Sequence, residues 1–277
     1  MSIAIVGRVA GHFNSKDGTW RFLGSAYHVA IHLAQSIDPL RILVFAPFGL
    51  DEAGHAFRNS LRDLGIQVFR LPVTHTPLVT YDEHNFEKWE LFDYDEELTP
   101  EAFHEFIPIM TQLSLGMLDL DVPTVVQALF ALTPAMSWVG KPSSDDFPAV
   151  CRQVAPHLFA AKLNKEESSL LAEFPIIDVS DCVIAEERLK KLGLRRAFLT
   201  LGKDGVYYYD EHGNGYLKSQ AITKRKVKEA GDAFMAGVLY GMLMTKDMAI
   251  LAKQGIEKSA ALLNAMAVHS FKEGNGV

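Results

Sequence analysis

Cysteine is scarce. The 277 residues contain two, Cys151 and Cys182, too few for a disulfide framework or a cysteine-rich metal cluster, so both read as small buried hydrophobes. Long apolar runs are missing as well, and no stretch approaches the ~18 consecutive apolar residues of a membrane-spanning helix. The opening MSIAIVG lacks a basic flank and a small-residue cleavage site, and reads as a first buried strand. A cytoplasmic protein without membrane contact is expected. Positive charge is the minority: Lys and Arg number 27 against 34 Asp and Glu, a formal charge of -7. That balance argues against a nucleic-acid-binding surface. Several catalytic signatures are absent too. His28 and His32 sit four apart with no acidic partner between them, no GxSxG turn occurs, and the first apolar run leads into GRVAGH instead of GxGxxG.

What remains is an ordinary globular composition, 48% hydrophobic and 22% charged, long enough for one large core. Short apolar runs alternate with helix-like segments, which predicts an α/β sheet. Strands are expected at 3–6, 41–46, 66–70, 113–118, 135–139, 158–163, 196–201 and 206–209. Helices are expected at 26–35, 51–64, 99–112, 123–132, 146–155, 179–192, 233–244 and 248–270. Between 76 and 92 the pattern becomes polar-apolar alternation around DEHN, a hairpin outside the main sheet, for which residues 13–23 supply a partner. No linker, repeat or low-complexity segment divides the chain, so 1–277 reads as one domain with lid segments at about 11–24 and 76–92.

Three short motifs carry chemistry. In KVKEAGDAFMAGVLYG, small residues and Asp232 stand before a strongly apolar helix. First-turn amides lack intrahelical partners and favour an anion, so Ala230 and Gly231 can form an anion hole while Asp232 takes a hydroxyl proton. An Asp at a helix start also serves as an ordinary cap. TLGKDG follows an expected strand, with Gly202 and Gly205 suited to a tight turn near a nucleotide and Lys203 placed to reach a phosphate or simply to face solvent. In NKEE, Asn164 is either a polar ligand or a helix cap, and Glu167 can orient the waters around a magnesium ion.

The order NxxE, TLGxxG, AGDAFxAG, together with the strand-helix start and the hairpin insertion, resembles the ribokinase-like, or phosphofructokinase-B type, family of sugar and nucleoside kinases. The resemblance spans nearly the whole chain. It implies a three-layer α/β sandwich with a central, mostly parallel sheet and a small β lid. It also implies ATP and Mg²⁺ as cofactors and a sugar or nucleoside as phosphoryl acceptor. Asp232 then matches the general base, and Ala230 and Gly231 the anion hole. Asn164, Thr200, Gly202, Lys203 and Gly205 fall on the nucleotide and phosphate side, with Asn264 near the adenine. Glu167 meets the metal through water. On the acceptor side the resemblance points to His12, Gly24, His28 and Tyr81, with Asp17 and Asp51 as further candidates.

The sequence also departs from the family pattern. Glu229 stands where the signature has the first glycine of its anion hole, with Lys224, Arg225, Lys226 and Lys228 nearby to offset its charge. His12 replaces an aspartate, Leu23-Gly24 replaces a glycine pair, and His28 replaces an asparagine. Phe13, Trp20, Tyr81, Phe86 and Trp89 could stack on a base, a partial resemblance to pseudouridine kinases, or could form the seam of a homodimer through the lid. The readings that follow are an ATP-dependent kinase or a weakly active or inactive relative that binds a sugar or nucleoside as a sensor or partner subunit.

Overall fold

The computed structural model describes residues 1–81, 87–89, 98–120, 123–142, 147–220 and 229–274. Asp82–Phe86 of the hairpin turn and the basic run at 224–228 lie outside the described residues. Nine strands belong to one large, mostly parallel sheet with flanking helices, as the alternation of apolar runs predicted. The chain divides into two compact units: Met1–Trp138 with Ser143–Val150, and Val139–Pro142 with Cys151–Val277.

In the first unit, β1 (Ile3–Val6), β4 (Ile42–Phe48), β5 (Gln67–Pro72) and β8 (Leu115–Asp119) run in the order β8-β1-β4-β5, each pair parallel. Every residue of β1, β4 and β8 is buried. Strands covered on both faces need continuous apolar runs, which is why IAIV and ILVFAPF show no alternation. α1 (Ser25–Ala34), α2 (Glu52–Arg62) and α4 (Pro123–Leu132) are the longer helices here. The stretch expected as one helix over 99–112 is instead a 3₁₀ segment, Pro100–Phe106, followed by the short α3, Ile107–Met110. Pro108 explains the difference, since it has no N–H to give and its ring crowds the preceding turn.

Two antiparallel hairpins stand apart from the sheet: β2 (Ala10–Asn14) with β3 (Thr19–Leu23), and β6 (Val79–Tyr81) with β7 (Glu87–Trp89). A bridge between Gly11 and Leu78 joins them. So does the His12 ring, whose Nδ1–H donates to the Val79 carbonyl at 2.9 Å.

The second unit holds β9 (Ser137–Lys141), at whose second residue the division falls, β10 (Ala160–Asn164), β11 (Ala197–Thr200), β12 (Val206–Tyr209) and β13 (Asn214–Leu217). β9, β10 and β11 are parallel, and β12 and β13 close the edge as an antiparallel hairpin. β13 was not anticipated, because NGYL is short and opens on two poor strand formers. It is fixed by a buried carboxylate: Glu186 accepts from the Tyr207 hydroxyl and from Asn214 Nδ2 at 3.0 Å. α5 (Phe147–Val154), α6 (Lys165–Ala172), α7 (Asp181–Lys191), α8 (Ala230–Met242) and α9 (Met248–Gly274) complete the described helices. None of them, nor those of the first unit, is long and apolar enough to cross a membrane.

Gly24, between β3 and α1, adopts φ 105°, and a Cβ there would lie 2.3 Å from the Arg8 carbonyl oxygen. Both the backbone conformation and the space demand glycine. Gly24→Ala is expected to cost about 3 kcal/mol, from strained backbone and displacement of the chain after β1. Urea denaturation measures it, and a loss under about 0.5 kcal/mol would show that this approach is not tight in solution.

Candidate functional site

The polar centre of the second unit gathers at the carboxyl ends of β9, β10 and β11 and the amino end of α8. Helix α8 begins at Ala230, earlier than the sequence pattern suggested, with Glu229 as its N-cap residue. The Glu229 carbonyl receives the N–H groups of Asp232 and Ala233 at 3.0 and 2.9 Å, and its side chain makes no capping hydrogen bond. Asp232 therefore lies inside the first turn and is not the cap. Ala230 and Gly231 are the first two helical residues, the positions whose amides helix geometry leaves for an anion.

Asp232 is buried, and its Oδ1 lies 2.9 Å from Lys141 Nζ, with side-chain exposures of 10% and 13%. This approach brings the charges together without the alignment of a hydrogen bond. Oδ1 is thus a buried acceptor with no hydrogen-bond donor among the described residues. A second ammonium comes from β10: Lys162 Nζ would be 3.3 Å from a Cβ on Gly231 and lies 3.8 Å from Glu167 Oε2. Glycine at 231 leaves that space to the ammonium. Burial pushes the Lys162 pKa below the usual lysine range; Glu167 opposes the shift and the like charge of Lys141 adds to it.

Asn164 and Glu167 form a capping box at the start of α6. Asn164 Oδ1 accepts the Glu167 N–H at 2.8 Å, and Glu167 Oε2 accepts the Asn164 N–H at 2.6 Å. The cap and the ligand readings of Asn164 therefore share one side chain. Thr200 sits beside it: the parallel register pairs Asn164 with Thr200, whose hydroxyl donates to the Leu163 carbonyl at 3.3 Å. NxxE and TLGxxG thus leave adjacent strand ends.

The turn after β11 is tight. Leu201 N–H donates to the Gly205 carbonyl at 2.8 Å, Gly202 and Gly205 take φ 61° and 116°, and a Cβ on Gly205 would meet the Leu217 carbonyl at 2.1 Å. Lys203 is exposed at 63% and paired with neighbouring Asp204 at 2.7 Å, which raises its pKa. Asn264 is half-buried on α9.

The first unit places the acceptor candidates on different elements. His12 and Tyr81 meet edge to face, ring centres 4.6 Å apart, in a cleft of about 420 Å³ also lined by Phe13 and Trp20. Since Nδ1–H is committed to Val79, the neutral ring offers Nε2 as an acceptor. His28 is half-buried on α1. Asp17 is exposed in the β2-β3 turn, held by Thr19 and Asn14. Asp51 caps α2 and accepts from Gly54 and twice from Thr76. Burial acts to raise its pKa, but those hydrogen bonds outweigh it and the net shift is downward. Phe86 lies outside the described residues, as does the side chain of Trp89.

Three residues of these centres escaped the sequence reading. Asp119, at the end of β8, is 5% exposed and accepts the Arg8 N–H at 2.8 Å and the Ser25 hydroxyl. It borders a narrow cavity of about 20 Å³ with Gly7, Arg8, Pro47, Leu71 and Leu98. Lys141 and Lys162 are the other two. Their common signal was available: a lone ionisable residue at or near the carboxyl end of a strongly apolar strand, in LGMLD, SWVGK and AAKLN.

A large parallel sheet with its polar centres at the carboxyl ends of the strands is the arrangement of the ribokinase-like sugar kinases. A ribokinase of Arabidopsis thaliana, solved with ribose and ATP, superposes with a TM-score of 0.75 at 14% identity, over 95% of this chain and 92% of that one. Ribokinase of Thermotoga maritima gives 0.72 at 17% identity, over 95% and 93%. In sequence, residues 9–268 match the pfkB family of carbohydrate kinases, and the chain belongs to that family. It is 22% identical to 1-phosphofructokinase of Escherichia coli K12 over 178 residues, 64% of this chain. The match spans about half, 47%, of that relative's length.

Lys162 offers a measurable consequence. Its charged form is penalised in the folded chain but not in the unfolded one, so the unfolded chain binds the proton more tightly. Stability should therefore rise with pH across the interval below the ordinary lysine pKa. Lys162→Met is expected to raise stability by about 1 kcal/mol at neutral pH and to flatten that rise. Urea denaturation at several pH values measures both, and a destabilised variant would show that pairing with Glu167 outweighs the burial cost.

Proposed function

We propose that this protein transfers the γ-phosphoryl group of ATP to a hydroxyl of a sugar or nucleoside, with Asp232 as general base. The observation that carries the reading is Asp232 Oδ1: a buried carboxylate oxygen without a hydrogen-bond donor among the described residues, at the start of α8, with Lys141 beside it. A buried acceptor of that kind is costly unless a ligand supplies the missing proton.

The acceptor hydroxyl donates its proton to Asp232 Oδ1 while its oxygen forms the new bond to the γ-phosphorus. The bond from that phosphorus to the bridging oxygen breaks, and ADP leaves with the electron pair. The first-turn amides at Ala230 and Gly231 and the Lys162 ammonium receive the phosphoryl oxygens. The cradle fits phosphate, because glycine at 231 leaves open the approach that Lys162 lines. Magnesium, when bound, neutralises phosphate charge and aligns the phosphates. Glu167 fits an outer role there, through the ion's waters, since Oε2 already serves the Asn164 N–H.

The turn from Thr200 to Gly205 and the Asn264 side of α9 would border the nucleotide. Lys203 would reach a phosphate only by leaving Asp204. Within the first unit, Nε2 of His12 can accept a hydroxyl proton as a carboxylate would, and Tyr81 packs against it.

Asp232→Asn is expected to lower kcat by about 1,000-fold while leaving ATP affinity nearly unchanged, and to lower the urea midpoint because the buried pair with Lys141 is broken. The assay couples ADP release to a panel of sugars, sugar phosphates, sugar acids and nucleosides, with ATP binding followed by calorimetry. Retained turnover in Asp232→Asn would overturn the assignment of the base. Calorimetric binding of a sugar or nucleoside without ATP binding or turnover would instead support a binding-only role, for which Glu229 at the anion hole is the structural argument.

A further inference from the structure

Lys141 is the last residue of β9, and its side chain joins the floor of the second unit's polar centre. Both members of the Lys141–Asp232 pair are about nine-tenths buried. Removing the lysine from such a pair leaves a buried carboxylate stranded, whereas an exposed pair would matter little. Lys162 from neighbouring β10 brings a second ammonium to the same helix start, and the two repel. Opposing them are Asp232 on α8 and Glu167 and Glu166 on α6. Two cations on adjacent strands are thus held together by carboxylates, one of which must lose its charge whenever the proposed reaction proceeds.

We infer that Lys141 is a catalytic residue of phosphoryl transfer, resting on the reading of Asp232 as the base: its ammonium is the counter-ion of Asp232 at rest and of the transferring phosphoryl group as the proton moves. When Asp232 takes the acceptor's proton it becomes neutral, and the attraction that held Lys141 to it disappears. The same step places negative charge on the phosphoryl oxygens and the bridging oxygen of ADP. The hydroxyl must lie within hydrogen-bond reach of Oδ1, 2.9 Å from the ammonium, so a small rotation of the lysine side chain brings Nζ to a phosphoryl oxygen. An interaction that strengthens only as charge moves lowers the barrier without tightening the ground state. It also gives the site a cation where Glu229 adds an anion to the helix start.

The two lysines should then separate kinetically. Lys141→Ala is expected to lower kcat about 100-fold with KM for ATP within about threefold of wild type, whereas Lys162→Met should mainly raise that KM. Lys141→Arg should recover about a tenth of the wild-type kcat. Methylammonium or ethylammonium added to Lys141→Ala should restore turnover in a saturable manner, which a role in holding the fold would not allow. A readout independent of activity comes from urea unfolding of Lys141→Met, Asp232→Asn and the double variant. The double variant should be more stable than Lys141→Met, because the stranded carboxylate is gone.

Unchanged kcat in Lys141→Ala overturns the inference. So does a loss that neither arginine nor amines relieve, or an equal loss in ATP affinity. If Asp232→Asn keeps its turnover, the base assignment fails first. If Asp232→Asn is inactive and Lys141→Ala is not, the inference alone fails.

Discussion

A carboxylate held close to an ammonium, with almost no water around either, sets the terms for the second unit. Asp232 and Lys141 come from α8 and β9, 91 residues apart in the chain, and the burial of each charge is offset by the other. Lys162 raises the electrostatic stake. Its burial is unfavourable by itself, and it persists where the backbone at Gly231 leaves room for it. Stability has been surrendered at this point in favour of a cluster of charge, and clusters of that kind are characteristic of sites where charge has to move.

The sheet supplies the precision. β9, β10 and β11 run parallel, so their last residues emerge at one edge; Lys141, Asn164 and Thr200 are those last residues, and Lys162 lies two residues before the end of β10. Asn164 both caps α6 and faces Thr200 across the ladder. One residue therefore starts a helix with its side chain and stands level, through its backbone, with the residue before a neighbouring turn. The first unit repeats the device: Asp119 at the end of β8 gathers the Arg8 amide and the Ser25 hydroxyl, tying the end of β1 to the start of α1.

Much of this could be read from residue order. IAIV, ILVFAPF and VYYY are apolar without alternation, and the structure makes them strands within a residue or two of the expected bounds. The hairpins, the Asn164 cap and the glycine turn were legible because turn and cap chemistry is local. Failures came where tertiary context decides. Pro108 divided an expected helix, β13 pairs along β12 and reaches Glu186 through Asn214, and α8 starts before its first large apolar residue. Lys141 and Lys162 stand out in sequence only as lone charges near the ends of apolar strands, with nothing to name their partners. Only folding shows that one faces Asp232 and the other Gly231.

The pairing of Asn164 with Thr200 also says where this chain can change length. An extra residue inside β10 or β11 would turn every following side chain to the opposite face and pull the two motifs out of step. Between α6 and α7 the backbone answers to no such ladder; Glu173 there already takes a left-handed turn at φ 50°, and Ile177 is 75% exposed. Variation in the span 173–180 would leave the ends of β10 and β11 in phase, which makes that bend the natural seat for an inserted reporter or an appended module.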